Sequence, residues 1–161
     1  MKTLLLMRHA KTESPYSLKR DFLRVLTEKG ASDARQMGIW LQAKGIGIDK
    51  VVSSPAIRTL QTTEGVCESM GIDASIVEFR EALYHATPET FTTVIESFPQ
   101  EANTVLLVSH NDGITHFATQ LTNARIDYMQ PGSVFAVSCA CIKWGEFFQR
   151  ERTFLFYRQP E

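Results

Sequence analysis

The chain has 161 residues, 43% of them apolar and 22% charged, with 17 Lys+Arg against 18 Asp+Glu and a formal net charge of −1. That composition predicts a single globular domain over residues 1–161 and excludes disordered and collagen-like chains. The pI near 6.4 lies far from the value above about 9 that marks a nucleic-acid footprint, so no nucleic-acid partner is expected.

Apolar runs such as Leu4–Met7 and Val105–Val108 fall far short of the roughly 18 residues that span a bilayer, so no membrane partner is expected either. Arg8 and His9 interrupt the first run before the apolar core of a signal peptide could form. Cys67, Cys139 and Cys141 are odd in number and lack Cys-x-x-Cys spacing. They read as reduced, mostly buried thiols of a cytoplasmic protein, with no zinc site and no cofactor.

Along the chain, Thr3–Met7 reads as a buried strand. Residues 10–26 are polar and irregular with Pro15 inside them, a length more typical of a functional loop than of a connector. Thr27 is placed to cap a helix from Glu28 to Lys44, with Ala34, Met37, Gly38 and Leu41 facing inward and Gly45 ending it. Lys50–Ser53 reads as a strand, Ser54-Pro55 as the start of a helix to Met70, and Ala74–Phe79 as a third strand. Pro88–Phe98 is helical by its spacing of Phe91, Val94, Ile95 and Phe98. Thr104–Ser109 is a buried strand, and Asn111 or Asp112 can cap a helix to Thr122. Val134–Ile142 and Thr153–Tyr157 read as closing strands, joined through Trp144-Gly145, with their aromatic residues packed in the core or on the sheet. The alternation predicts an α/β three-layer sandwich, a mostly parallel central sheet flanked by helices.

Three strand ends carry the polar chemistry: Arg8-His9-Ala10-Lys11-Thr12, Ser53-Ser54-Pro55-Ala56-Ile57-Arg58, and Ser109-His110-Asn111-Asp112-Gly113. Ligands of open α/β sheets bind beyond the carboxyl ends of the strands, so Arg8, His9, Arg58 and His110 are expected to converge there. Two guanidiniums suit a dianionic phosphoryl group. No Walker loop or carboxylate cluster is present, so metal-free chemistry with an imidazole nucleophile is expected. Cations disfavour protonation of that imidazole, and a backbone carbonyl could fix its tautomer. The second histidine then donates a hydrogen bond to the phosphoryl oxygens. His116 and His85 read as structural or peripheral, and Lys19, Arg20 and Arg24 as a solvated loop or as a cluster facing an acidic partner or the substrate.

The same residues carry a family resemblance. Leu6-Met7-Arg8-His9-Ala10-Lys11-Thr12, Ser53-Ser54-Pro55-Ala56-Ile57-Arg58-Thr59-Leu60-Gln61-Thr62 and Val108-Ser109-His110 resemble, in order, three motifs of the histidine phosphatase superfamily. The resemblance implies a phosphoglycerate mutase-like fold and a phosphatase that works without a metal or cofactor. By the same resemblance, His9 is the nucleophile that becomes phosphorylated, and Arg8, Arg58, His110 and Thr12 bind the substrate. Glu81, followed by Tyr84, is similar to the mutase-branch general acid. The short chain without a cap insertion looks like the SixA-type protein phosphohistidine phosphatases, whose partner is a phosphohistidine-containing protein. Two other readings are a phosphatase of small phosphorylated metabolites and a non-catalytic phosphoprotein-binding module. Ala10 stands where the superfamily commonly has glycine, which removes a conformationally permissive residue.

Overall fold

The computed structural model describes residues 1–16 and 19–161; Ser17 and Leu18, inside the predicted 10–26 loop, lie outside them. Six strands form one sheet: β1 (Lys2–Arg8), β2 (Lys50–Ser53), β3 (Val77–Phe79), β4 (Thr104–Ser109), β5 (Val134–Cys139) and β6 (Arg152–Arg158). Their order is β3-β2-β4-β1-β5-β6. The first four are mutually parallel, β5 runs antiparallel to β1, and β6 antiparallel to β5.

Side chains alternate across a strand, and β1 uses both faces. Leu4 and Leu6 join a core with Phe91 and Ile95 of α3 (Pro88–Glu96) and with Ile114 and Phe117 of α4 (Gly113–Leu121). Leu5 and Met7 join a second core with Met37 and Leu41 of α1 (Glu28–Ala43) and Val66 of α2 (Ile57–Met70). All four β1 side chains are at most 1% exposed, and each such burial is worth about 1.5–3 kcal/mol relative to exposure. Residues flanking β1's C-terminal end are therefore held from both layers.

Local signals explain most element boundaries. Thr27 Oγ1 accepts from the Gly30 N–H at 3.0 Å and caps α1. Gly71 ends α2 in the left-handed region at φ +66. A Cβ on Gly30 would lie 2.1 Å from the Lys11 carbonyl oxygen, so only glycine lets α1 approach the segment that follows His9.

Three expectations are corrected. The third strand is only Val77–Phe79, because Asp73 accepts from the Ser75 N–H at 2.8 Å and draws Ala74–Ile76 into a 3-10 turn. β5 stops at Cys139, where the Cys141 N–H turns back to the Cys139 carbonyl at 2.9 Å. Pro55 precedes α2, which begins after Ala56. Of the aromatic closing residues, Phe154 packs on the sheet, its ring 5.4 Å from that of Phe135, and with Leu155 it stays 40–46% exposed on the edge strand β6.

Candidate active site

The parallel strands β2, β4 and β1 end side by side, with Arg8 opposite Ser109 and Ser53 opposite Val108. Beyond these ends pairing continues: the His9 N–H donates to Ser109 O at 3.1 Å and the Ser54 N–H to Val108 O at 3.0 Å. A cleft of about 450 Å³ opens there, lined by Arg8, His9, Thr12, Asp21, Arg24, Arg58, Tyr84, His85, His110 and Asn111, with Pro15 at its edge. The rings of His9 and His110 lie 5.4 Å apart, and each residue is only 7% exposed.

His9 Nδ1 lies 2.8 Å from the Ala10 carbonyl oxygen. A carbonyl can only accept, so Nδ1 carries the proton and Nε2 keeps its lone pair. The Ala10 N–H donates to Thr62 Oγ1 at 3.0 Å, and Thr62 Oγ1 donates to Arg58 O at 2.7 Å. Gln61 Oε1 accepts the Leu26 N–H at 2.8 Å. The Arg58-x-x-Gln61-Thr62 spacing thus puts the cleft arginine and two loop anchors on adjoining turns of α2. No described residue other than glycine has a positive φ, so Ala10 takes its place without needing glycine's freedom.

His110 Nε2 lies 2.7 Å from Ser54 Oγ, which already accepts a long 3.4 Å contact from the Ala56 N–H. If the serine hydroxyl donates to Nε2, Nδ1 is the protonated nitrogen, and it is buried without a protein partner. Arg8 Nε and Arg58 Nε are likewise buried and unpartnered. Three of the four such side-chain atoms among the described residues therefore belong to cleft residues, the fourth being Thr63 Oγ1. Arg8 Nη1 donates to Tyr128 Oη (2.8 Å) and Met129 O (2.9 Å), and its guanidinium stacks 5.0 Å from the Tyr128 ring. Arg58 is 5% exposed and donates through Nη1 to Asp21 O at 2.8 Å and through Nη2 to Asp21 Oδ2 at 3.1 Å.

Both histidines are neutral in this setting. Burial, reinforced by Arg58, Arg8 and Arg24, pushes His9 down to about 3 against the opposing Ala10 contact. Burial and then Arg58 push His110 down to about 2.

The structure brings Arg8, His9, Arg58, His110 and Thr12 to one cleft; Thr12 Oγ1 accepts from Arg24 Nη1 at 2.8 Å. Glu81 is not brought there. It is exposed and lines a neighbouring hollow with Phe22, Pro55, Tyr84 and His85. Arg24 lines the cleft, in line with the second reading of its cluster; His85 lines it too, against its reading as peripheral, whereas His116 is exposed on α4. Asp21 and Tyr128 were not singled out in the sequence, and Tyr84 only as the residue that follows Glu81. They sit on irregular segments, where no periodicity marks a side chain as inward-facing.

The profile of the histidine phosphatase superfamily (branch 1) matches residues 4–103. An uncharacterised protein of Mycobacterium leprae is 33% identical over 149 residues, 86% of this chain and 89% of its own length. Phosphohistidine phosphatase SixA of Escherichia coli is 26% identical over 123 residues, 73% of each chain. A solved structure from Nakamurella multipartitia superposes with a TM-score of 0.85 at 28% identity, over 99% of this chain and 96% of that one. With its phosphoglycerate mutase-like α/β fold, the chain belongs to branch 1 of the histidine phosphatase superfamily.

Proposed function

We propose that the chain is a cytoplasmic, metal-independent, single-domain phosphatase that removes the phosphoryl group from phosphohistidine in a partner protein. The observation that carries this reading is the neutral His9 imidazole, its Nδ1 proton held by Ala10 O at 2.8 Å, in a cleft it shares with Arg8, Arg58 and His110. Its support among relatives is the 26% identical SixA.

In the first half-reaction, His9 Nε2 attacks phosphorus and the bond to the substrate nitrogen breaks, its electron pair leaving with the substrate imidazole. Arg8, Arg58 and His110 stabilise the phosphoryl oxygens as charge redistributes. In the second, water attacks the phosphoryl group on His9. The P–N bond breaks, its pair returns to Nε2, and dihydrogen phosphate departs with both water protons. The guanidinium charges take the place of a metal, and the described residues hold no group of three or more His, Cys, Asp or Glu placed to bind one. No helix among the described residues is long and apolar enough to cross a membrane, and all three cysteines are free thiols.

Turnover of a phosphohistidine-bearing protein in the presence of EDTA tests the reading, alongside a panel of sugar and acyl phosphates. Release of phosphate from the protein, unaffected by EDTA and lost in His9→Ala, is expected. Turnover confined to small phosphates would contradict the substrate assignment, and binding of phosphate with no turnover would make the chain a binding module.

A further inference from the structure

Asp21 places a carboxylate in a cleft built for an anion. Its Oδ1 accepts from Arg24 Nε at 3.0 Å and pairs with Arg24 Nη2 at 2.9 Å. Its Oδ2 accepts from Arg58 Nη2 at 3.1 Å and from the Tyr84 hydroxyl at 2.5 Å. The side chain nevertheless remains 51% exposed, at the mouth of the cleft. Such a group repels a dianion and cancels part of the charge of Arg58 and Arg24, so its presence calls for a compensating task. Proton donation is not that task. Despite some desolvation, the hydrogen bonds from Tyr84 and Arg24 and the charge of Arg58 hold the Asp21 carboxyl well below the usual range, fully ionised. Glu81 lies outside the cleft, His9 and His110 are neutral, the Tyr84 hydroxyl proton is committed to Asp21, and His85 is exposed beside the Tyr84 ring at the cleft's rim.

A cleft furnished this way suits a leaving group that departs without receiving a proton. Phosphohistidine is one, provided that its ring nitrogen opposite the phosphoryl group is protonated: breaking the P–N bond then releases neutral imidazole. We infer that Asp21 accepts the hydrogen bond from that N–H, making it the residue that selects phosphohistidine over phosphate esters. This rests on the phosphohistidine reading of the cleft. The transfer is then symmetric. His9 attacks as a neutral ring whose Nδ1 proton is held by Ala10 O, and the substrate ring leaves as a neutral ring whose distal proton is held by Asp21. One P–N bond forms as one breaks, no proton changes owner, and the total charge is the same on both sides. Of the four donor contacts on the Asp21 carboxylate, only the Tyr84 hydroxyl is neutral. A cationic N–H makes the stronger bond and takes its place.

The test compares kcat/KM for a phosphohistidine peptide with kcat/KM for p-nitrophenyl phosphate, whose leaving group has no N–H, in wild type and Asp21→Asn. The ratio of the two is the readout, because a general loosening of Arg58 lowers both rates together. Asp21→Asn is expected to lower the ratio by about 10- to 100-fold, the scale of a hydrogen bond to a charged group. Asp21→Glu, which keeps the charge, is expected to retain more of the ratio than Asp21→Asn. Wild-type activity on both substrates with an unchanged ratio in Asp21→Asn overturns the role of Asp21 alone. A wild-type enzyme that cleaves p-nitrophenyl phosphate but not the peptide overturns the phosphohistidine reading, and the role of Asp21 with it.

Discussion

His9 donates its Nδ1 proton to the carbonyl oxygen of Ala10, its own neighbour, over 2.8 Å. The Ala10 N–H in turn donates to Thr62 Oγ1 at 3.0 Å, so α2 holds the group that fixes the His9 tautomer. Orientation of the imidazole thus depends on a helix 52 residues further along the chain, and the Arg58-to-Thr62 spacing carries both the cation and the support.

Thr62→Val tests that support. The substitution keeps the shape and leaves the buried Ala10 N–H without an acceptor, at a cost of about 1–3 kcal/mol. Urea unfolding is expected to show that loss, with turnover falling as the Ala10 carbonyl loses its anchor. An unchanged midpoint and rate would show that Thr62 does not position Ala10.

Arg58 is expected to contribute on the scale of a preorganised oxyanion donor. Arg58→Ala should lower kcat/KM by about 10²–10³-fold. Arg58→Lys should recover only part, because an ammonium cannot keep both the fork onto Asp21 and a planar face toward phosphate. Steady-state kinetics on any accepted substrate measures both.

Glu81 is similar to a mutase-branch acid in sequence, yet it lines the hollow beside the cleft. Glu81→Gln is therefore expected to change kcat/KM by less than the roughly 10²-fold typical of a lost general acid. A loss of that size or larger would place Glu81 in the reaction.

Acid should destabilise the fold through its two buried histidines. His9 and His110 fall from an ordinary 6.5 to about 3 and about 2 in the folded chain, chiefly by burial. The unfolded chain then binds more protons in the window between the two values, so stability is full above about pH 7 and is lost as pH falls from about 6.5 toward 3. Two groups together predict on the order of 2–3 kcal/mol per pH unit in that window. Asp21, held below its ordinary 3.8, contributes stability that is present above that value and lost as pH falls further. Urea midpoints between pH 7.5 and 4.5 check the slope, which should flatten in a His9→Gln/His110→Gln variant.

The parts of the site legible in the sequence were those at ends of apolar strands. Arg8, His9 and His110 follow runs whose burial is unmistakable, and Arg58 opens a helix one turn after another such run. Thr27 likewise announced the start of α1. Asp21, Arg24 and Tyr84 were not legible as cleft residues, nor Tyr128 as the partner of Arg8, because their places depend on contacts across 37, 12, 63 and 120 residues. The overlong third strand shows the opposite failure: strand propensity over Ala74–Phe79 yielded to one local side-chain bond from Asp73.

The most direct test of the mechanism is to trap the phosphoenzyme. Rapid acid-free quenching during turnover of a phosphohistidine protein, followed by mass spectrometry of the peptide containing His9, should show an acid-labile phosphoryl group on His9, absent in His9→Ala. Full turnover by His9→Ala, or a phosphoryl group carried by another residue, would contradict nucleophilic catalysis by His9.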